Sequence, residues 1–453
     1  SRTRRSAHPT ASGARGWGLV ISASPGMGSD DLSRQMAGLP PMFAESELEL
    51  IRSRCRAVLA ENWREGARIS DGVPYSYTCP SPGHYPWQWY WDSCFTAVAW
   101  RRFDPQRSRR ELESLLAAQR SDGFIGHTIF WKEPLRGSRR FTYNVLSPGD
   151  LMTASIQPPA LAWAWRISVG DPGTVPAIGH HHQWLAAHRD LDGDGLLWIV
   201  QPDESGLDAS PQFDPVWGHR AHSRAGFPLL VRRNRHLRYD LRRIAGAGGP
   251  VLVEVVTNVL YNLSRLALGL PSLTTALIER CWDEREGLFL PTARPAPRGP
   301  WPVTIAALTP LALPDLPEAI GRRLVEEHLL DPNRFWLPVP PPSVSAREPS
   351  FSRRDHGWLG KRYWRGPSWV NTAWLVWLGL LRLGYDEPAA ELAQRLGHAV
   401  ASGGLREYYE PYSGAGLGAH DFGWSALIME LLDPDPRAAS SYLAPPMTPF
   451  TDR

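Results

Sequence analysis

The segment Thr372–Leu383 is apolar on nearly every face, with Trp374, Leu375, Val376, Trp377, Leu378 and Leu380 leaving no polar side for water. A helix of this kind has to be covered all round. Interrupted by Arg382, it falls short of the roughly 18 apolar residues of a membrane span, so the cover must be protein. Other segments, such as Arg107–Gln119, keep a polar outer face. One sandwiched and one amphipathic population of helices is what concentric rings of helices produce.

Helical patterns recur at Glu47–Glu61, Ser93–Arg102, Arg107–Gln119, Leu151–Val169 and Pro176–His188, with Gly and Pro in the linkers. They continue at Leu252–Leu268, Leu273–Trp282, Thr304–Leu313, Pro317–Leu329, Ser368–Leu383, Pro388–Ala401 and Phe422–Leu432. Strand signals are few and short, Leu196–Val200 among them, and none alternates with helices as a βαβ fold requires. The expected class is all-α, an (α/α)6 barrel or toroid over residues 41–436, with long loops forming the mouth of a site. Two irregular stretches, Trp217–Arg243 and Pro338–Arg354, are the longest of these loops and are expected to be functional.

Residues 1–40, rich in Ser, Gly, Arg and Pro, read as a disordered leader, and 437–453 as a C-terminal tail. Arg4 and Arg5 form a twin arginine, but the apolar stretch behind them, Trp17–Ser22, is shorter than the ~7–15 residues of an export signal. The expected location is therefore cytoplasmic, where Cys55, Cys79, Cys94 and Cys281 stay reduced; they contain no CxxC pair. A formal charge of +3 over 453 residues gives no global attraction to nucleic acid. Neither nucleic acid nor membrane is expected as a partner, and a homo-oligomer is left open.

Tryptophan, at 21 residues, is the composition item that discriminates. In YPWQWYWDS, Tyr85–Ser93, the rings of Trp87, Trp89 and Trp91 alternate with Gln88, Tyr90 and Asp92. Sugars want this mixture, because their C–H faces pack on rings while their hydroxyls need placed polar partners. Tyr85, Trp89, Trp91 and Asp92 are the candidate floor of a sugar site, with Asp92 either a simple helix cap or an acceptor for two hydroxyls. A second segment runs from Asp190 to Asp214. Its Asp190, Asp192, Asp194 and Gly195 imitate a calcium loop, but Gln201 stands where a bidentate Glu is needed, so a tight Asp/Gly turn is expected and no metal. A carboxylic acid on the following ESGLDASP loop, walled by aromatics, could hold its proton near neutrality. The third segment is YWRGPSWVNTAW, Tyr363–Trp374, and the fourth REYYEPYSGAGLGAHDFGW, Arg406–Trp424. In the fourth, Glu407 could activate a water, with Glu410 in competition. Two carboxylates on opposite sides of a sugar are the minimal machine for breaking a glycosidic bond.

All four segments, in this order and spacing, resemble glycoside hydrolase family 63, in particular its compact bacterial branch of mannosylglycerate and glucosylglycerate hydrolases. WDS, ESGLDASP, YWRGPSW and EYYEPYSGAGLG carry the resemblance, which covers roughly residues 45–432. It implies an inverting α-glycosidase on an (α/α)6 barrel, acting on a small α-linked glucoside or mannoside without a cofactor. Asp208 would be general acid and Glu407 general base, while Trp91, Asp92, Trp364, Gly366 and Trp369 would line the subsite for the cleaved sugar. Asp421 sits where the related trehalases place another sugar-binding carboxylate, although the element here carries an extra residue. The expected partner is thus a small carbohydrate.

Two departures bear on substrate. The family often has an aromatic before Glu-Ser-Gly, where this chain has Pro202 and Asp203. The insertion after the acid holds Arg220, Arg224, Arg232, Arg233, Arg235, Arg238, Arg242 and Arg243 against one acid, Asp240. It reads equally as a clamp for an anionic aglycone or as a solvated basic loop. A non-catalytic carbohydrate-binding protein and a sugar epimerase or isomerase are the alternatives. The latter would rely on histidine, and His180, His181 and His182 lie outside the aromatic segments and read as surface residues.

Overall fold

Several helices start where a preceding carboxylate accepts from their first amides, at Asp104, Asp240 and Glu254. In this computed structural model, which describes residues 43–434 except 138, 219–225, 355, 358, 359 and 362, together with Tyr442, the helices in chain order are α1 (Glu45–Asn62), α2 (Tyr90–Trp100), α3 (Pro105–Ala117), α4 (Leu161–Ser168) and α5 (Pro176–Arg189). There follow α6 (Gly226–His236), α7 (Leu241–Gly246), α8 (Val255–Ala267), α9 (Thr274–Cys281), α10 (Glu318–Arg323), α11 (Val370–Arg382), α12 (Asp386–Gly403) and α13 (Ile428–Leu432), besides the four-residue turns Arg139–Thr142 and Asp214–Trp217. Asp104 caps α3 by accepting from the amides of Gln106 and Arg107, each at 3.0 Å, with Pro105 in the first turn. Glu254 caps α8 by accepting from the Thr257 amide at 2.7 Å.

The two helix populations separate as expected. Every residue of α2 is buried, as is every residue of α11 from Val370 to Leu381. These apolar helices pack on one another: α2 on α4, α4 on α8, α8 on the 3-10 stretch Ile305–Ala312, and that stretch on α11. The chain from Gly423 to Leu432 packs on both α11 and α2. Amphipathic elements cover this set: α1 lies against the Gly423–Leu432 segment, α3 against α2, α9 against α8, and α12 against α11. Among the described residues the strands are short and pair antiparallel. The largest sheet joins Trp198–Ile199, Val251–Val253 and Thr292–Arg294. All four cysteines are buried free thiols. No described helix is long and apolar enough to cross a membrane.

Several expected elements differ. The helix read at Leu151–Val169 begins only at Leu161, because Pro158 and Pro159 lack amide protons and push the residue before them out of the helical region. Thr304–Leu313 is a 3-10 stretch carrying Pro310, and Phe422–Leu432 likewise begins as 3-10 before α13. The insertion read as irregular over Trp217–Arg243 contains α6 and α7. His181 and His182 are buried, not on the surface, and only His180 of the three is exposed. The leader 1–40, the tail 437–453 apart from Tyr442, and the arginines Arg220 and Arg224 lie outside the described residues.

At Gly379 α11 passes close against the stretch Ile305–Ala312. A Cβ there would stand 2.4 Å from Leu311 Cβ and 2.6 Å from the Leu311 carbonyl oxygen. Alanine ordinarily favours a helix interior over glycine by about 1 kcal/mol, yet here the clash should dominate. Gly379→Ala is expected to lower stability by about 1–3 kcal/mol, read as a shifted midpoint in urea unfolding; a stabilised variant would contradict this packing.

Candidate active site

The floor is built at the start of α2, whose first amides have partners far away in the chain. Trp89 occupies the cap position, so Asp92 is not the cap; it sits in the first turn. The Tyr90 amide donates to the His127 carbonyl at 3.0 Å, and the Trp91 amide to Gln157 Oε1 at 3.0 Å. These two bonds draw His127 and Gln157 to the floor. Gln88 turns away and donates to Ser93 Oγ and the Glu111 carbonyl, while its own oxygen accepts from the Trp131 indole. The alternation of rings and polar groups is therefore divided between a cavity and its support.

The acid turn follows the strand Trp198–Ile199. Glu204, fully buried, anchors it: Arg189 at the end of α5 donates to both its oxygens, at 2.7 and 2.9 Å, and the amides of Ile156 and Val200 donate at 3.0 and 2.8 Å. Beyond Glu204 the backbone turns left-handed at Gly206, φ +72°, and again at Ala209, φ +62°. A side chain at Gly206 would meet the Trp91 ring at 2.4 Å, so the turn that carries Asp208 lies directly on the Trp91 ring. Half-buried Asp208 is held between these two bends.

Glu407 lies on the strand Arg406–Tyr409, paired with Gly416–His420, and the register shifts there between Arg406 and Tyr408. Gly418, φ +70°, supplies the bend; a Cβ on it would stand 2.6 Å from Glu407 Oε2. The bulge brings the Ala419 amide onto Glu407 Oε2 at 2.9 Å, while the Tyr363 hydroxyl donates to Oε1. Glu410, three residues on, faces the other way. It accepts from Arg353 at 2.7 Å and from Ser413; burial pushes its carboxyl up, but these partners outweigh that and hold it below the usual range.

A cavity of about 240 Å³ opens between these parts, bordered by Tyr85, Trp89, Trp91, Asp92 and Asp208 and closed by His127, Gln157, Tyr363, Phe422 and Trp424. The volume suits one sugar ring rather than an extended chain, being below the roughly 300–1,000 Å³ of pockets for larger ligands. Burial, and then the charges of Glu407 and Asp208, push Asp92 well above the ordinary aspartate range. The phenols of Tyr85 and Tyr363 are raised by burial and feel the same two charges. Both carboxylates thus act on one set of groups around one cavity.

Of the sequence-derived site residues, Tyr85, Trp89, Trp91, Asp92 and Asp208 border the cavity, and Glu407 stands behind Tyr363. Trp364, Gly366, Trp369 and Asp421 do not border it. Trp364 and Trp369 are fully buried and stacked at 3.7 Å, forming a second layer behind Trp91 and Trp424. Gly366 is instead where the chain passes the Ser352 backbone, whose carbonyl a Cβ would meet at 2.1 Å. Asp421 is exposed, and its carbonyl accepts from Asn62 at 2.7 Å. Arginines take the carboxylates of the calcium-like turn: Asp192 pairs with Arg280 and Arg294, and Asp194 with Arg280. In the basic insertion, Arg235 donates to the Val145 and Leu146 carbonyls and Arg242 to the Asp190 carbonyl. No described arginine of that insertion borders the cavity.

His127 and Gln157 are site residues that the sequence does not single out. Gln157 falls inside an expected helix, and the Pro-Pro after it is the signal that the chain there is extended. His127 brings a histidine to the wall, but burial pushes it down to about 3. As a neutral ring it is not poised to exchange protons near neutrality.

The family described as mannosylglycerate hydrolase MGH1-like glycoside hydrolase domain matches residues 85–269 and 267–425. The chain belongs to this family. Asp208, Glu407 and the segment Tyr85–Ser93 all fall within the match. The chain is 28% identical to mannosylglycerate hydrolase MGH2 of Selaginella moellendorffii over 86% of each chain. It is 25% identical to the glucosylglycerate hydrolase of Mycolicibacterium hassiacum over 77% of this chain and 92% of that one. It is also similar to the crystal structure of a family 63 mannosylglycerate hydrolase of Thermus thermophilus in complex with Tris and D-glycerate. There the TM-score is 0.68 and the identity 26%, over 85% of this chain and all of that one. The resemblance to glycoside hydrolase family 63 read from the four segments is thereby borne out.

Glu204→Gln leaves Arg189 buried without its counter-charge. Loss of one partner of a buried ion pair costs about 3–5 kcal/mol, and a loss of that size is expected in guanidinium unfolding of this variant. A change below ~1 kcal/mol would mean that the acid turn does not depend on the pair.

Proposed function

We propose that this glycoside hydrolase is an inverting α-glycosidase that cleaves glucosylglycerate- or mannosylglycerate-type substrates, with Asp208 as general acid and Glu407 as general base. The observation that carries the reading is the convergence of Asp92, Asp208 and the Tyr363–Glu407 pair on one aromatic-walled cavity the size of a single sugar. Asp92 would accept sugar hydroxyls, with Trp89 and Trp91 as walls. Asp208 would give its proton to the glycosidic oxygen as the C–O bond breaks and its electron pair leaves with that oxygen. Water on the opposite face would attack the anomeric carbon and lose its proton to Glu407, and the released sugar would carry the opposite anomeric configuration. The Tyr363 hydroxyl and the Ala419 amide both donate to Glu407, which fixes the carboxylate in place. Single displacement calls for roughly 6.5–9.5 Å between the carboxyl groups, whereas retention calls for ~5 Å.

The same reading makes residues 41–436 one catalytic (α/α)6 barrel. It is supported by the run of contacts from α2 through α4, α8, Ile305–Ala312, α11 and Gly423–Leu432 back to α2. The glycerate part rests on the relatives; Arg220 and Arg224, just beyond the acid turn, are the clamp candidates that remain. Four unpaired buried thiols accord with a cytoplasmic location.

Asp208→Asn and Glu407→Gln are each expected to lower kcat by at least ~10²–10⁴-fold, whereas Glu410→Gln should stay near the parent. A dead Glu410→Gln beside an active Glu407→Gln would move the base. Proton NMR of an active mixture should show the β-anomer first; an initial α-anomer would exclude inversion. A panel of glucosylglycerate, mannosylglycerate, trehalose and short α-gluco-oligosaccharides should give the highest kcat/KM on a glycerate conjugate. Turnover of neutral disaccharides alone would remove the glycerate assignment.

A further inference from the structure

Asp208 lies along the chain between two carboxylate–guanidinium pairs. Before it, Glu204 takes Arg189 at the end of α5; after it, Asp214 takes Arg365. The second pair is a fork. Arg365 Nη1 donates to Asp214 Oδ2 at 2.9 Å and Nη2 to Oδ1 at 2.6 Å, with the two side chains only 12% and 9% exposed. Pairing at two points fixes orientation as well as distance. Arg365 does not border the cavity, so its guanidinium serves Asp214 and not the sugar.

The chain from Asp208 to Asp214 is short and tightly folded. Ala209 bends it at φ +62°, the Ser210 amide donates to the Leu207 carbonyl at 3.0 Å, and Pro211–Phe213 forms a single 3-10 turn. In that turn Gln212 donates from Nε2 to Glu254, the cap of α8, at 3.2 Å. Arg365 lies on the segment that serves the base. Just before it, the Tyr363 hydroxyl donates to Glu407; just after it, Ser368 and Tyr409 exchange amide-to-carbonyl bonds in both directions, each at 2.9 Å. The Ser352 amide donates to the Arg365 carbonyl at 2.7 Å, and the Gly366 amide to Ser343 Oγ at 2.9 Å, so this segment is held on its other side too. The fork therefore joins two lines of chain, one leading from Asp208 and the other bonded to the strand that carries Glu407.

We propose that Asp214 and Arg365 are positioning residues whose fork sets the place of Asp208 relative to Glu407, and with it the gap that must hold both the leaving oxygen and the attacking water. The proposal rests on the assignment of Asp208 as acid and Glu407 as base. When the fork is broken, Glu407 keeps its own partners, the Tyr363 hydroxyl and the Ala419 amide. The near end of the acid turn keeps Arg189, but its far end is released. Asp208 is the group that drifts. Misplacing a reacting group by about 1 Å can cost on the order of 10²-fold in rate, while the base and its water stay placed.

The test compares two substrates of the same sugar. One is the best glycoside of the panel, whose oxygen must be protonated as it leaves; the other is the α-glycosyl fluoride, whose fluoride leaves as an anion without a proton from the acid. Asp214→Asn is expected to lower kcat on the glycoside by roughly 10–100-fold, with KM close to the parent value, and to keep the parent rate on the fluoride. Arg365→Lys, which keeps the charge without the fork, is expected to follow it. The double variant Asp214→Asn with Arg365→Gln leaves no unpaired charge and stands in if a single variant does not fold. It is expected to lose no more than either single, because the two residues act as one. A parent rate on the glycoside in a folded variant overturns the proposal. So does an equal loss on both substrates, which is what a merely architectural fork would give, together with a lowered thermal midpoint. Asp208→Asn in parallel separates the two readings: full activity on the glycoside there defeats the acid assignment itself, whatever the fork variants do.

Discussion

The active-site wall depends on one buried ion pair. Arg189 closes α5 and Glu204 opens the acid turn, and the pair is completed by the amides of Ile156 and Val200. Four separate stretches of chain therefore meet at one carboxylate: the end of an outer helix, the extended segment before Pro158, the strand that leads to the acid, and the acid turn. A buried pair is weak as a source of net stability, since desolvation offsets most of the attraction. Its effect here is on arrangement. With both Glu204 oxygens satisfied, no other register of the turn offers this guanidinium and these amides the same partners, and Asp208 is placed accordingly.

Two close approaches convert that placement into a cavity. Gly206 lets the acid turn rest on the Trp91 ring, and Gly418 lets the bulged strand pass beside Glu407. A side chain at Gly206 would push the turn that carries Asp208 off the floor, and one at Gly418 would push against Glu407. Behind the floor, Trp364 and Trp369 are stacked 3.7 Å apart and in contact with Trp91, Trp424 and Tyr408. They stiffen the wall rather than touch the cavity. Trp364 and Trp369 thus serve the cavity at second hand, as the support that keeps its bordering rings in position.

The sequence made the floor and the acid turn legible because their chemistry is local: rings beside polar groups, and a carboxylate between left-handed bends that Gly206 announces. The helices were legible where their periodicity was clean, as in α3 and α11. Helical reading failed at Leu151–Ala160, where apolar content outweighed the two prolines that forbid a helix, and His127 and Gln157 were missed for a related reason. Their place at the site comes from capping α2 across more than thirty residues of chain, and no local pattern encodes such a bond. Trp364 and Trp369 show the converse. Their aromatic motif pointed at the sugar, but only packing reveals whether a ring is wall or buttress. The fork from Arg365 to Asp214 was likewise invisible, since it joins distant segments.

Charge gives the site its direction. Among the described residues the cavity border carries Asp92 and Asp208, with Glu407 behind Tyr363 and Asp203 behind His127, and it carries no lysine or arginine. A neutral sugar feels little of this in its ground state. Positive charge developing at an anomeric carbon would feel those of the carboxyls that are ionised, in an aromatic-walled space where such interactions are strengthened. The same arrangement repels an anion, so a glycerate aglycone could enter only if cations met it at the mouth, outside the ring-binding space.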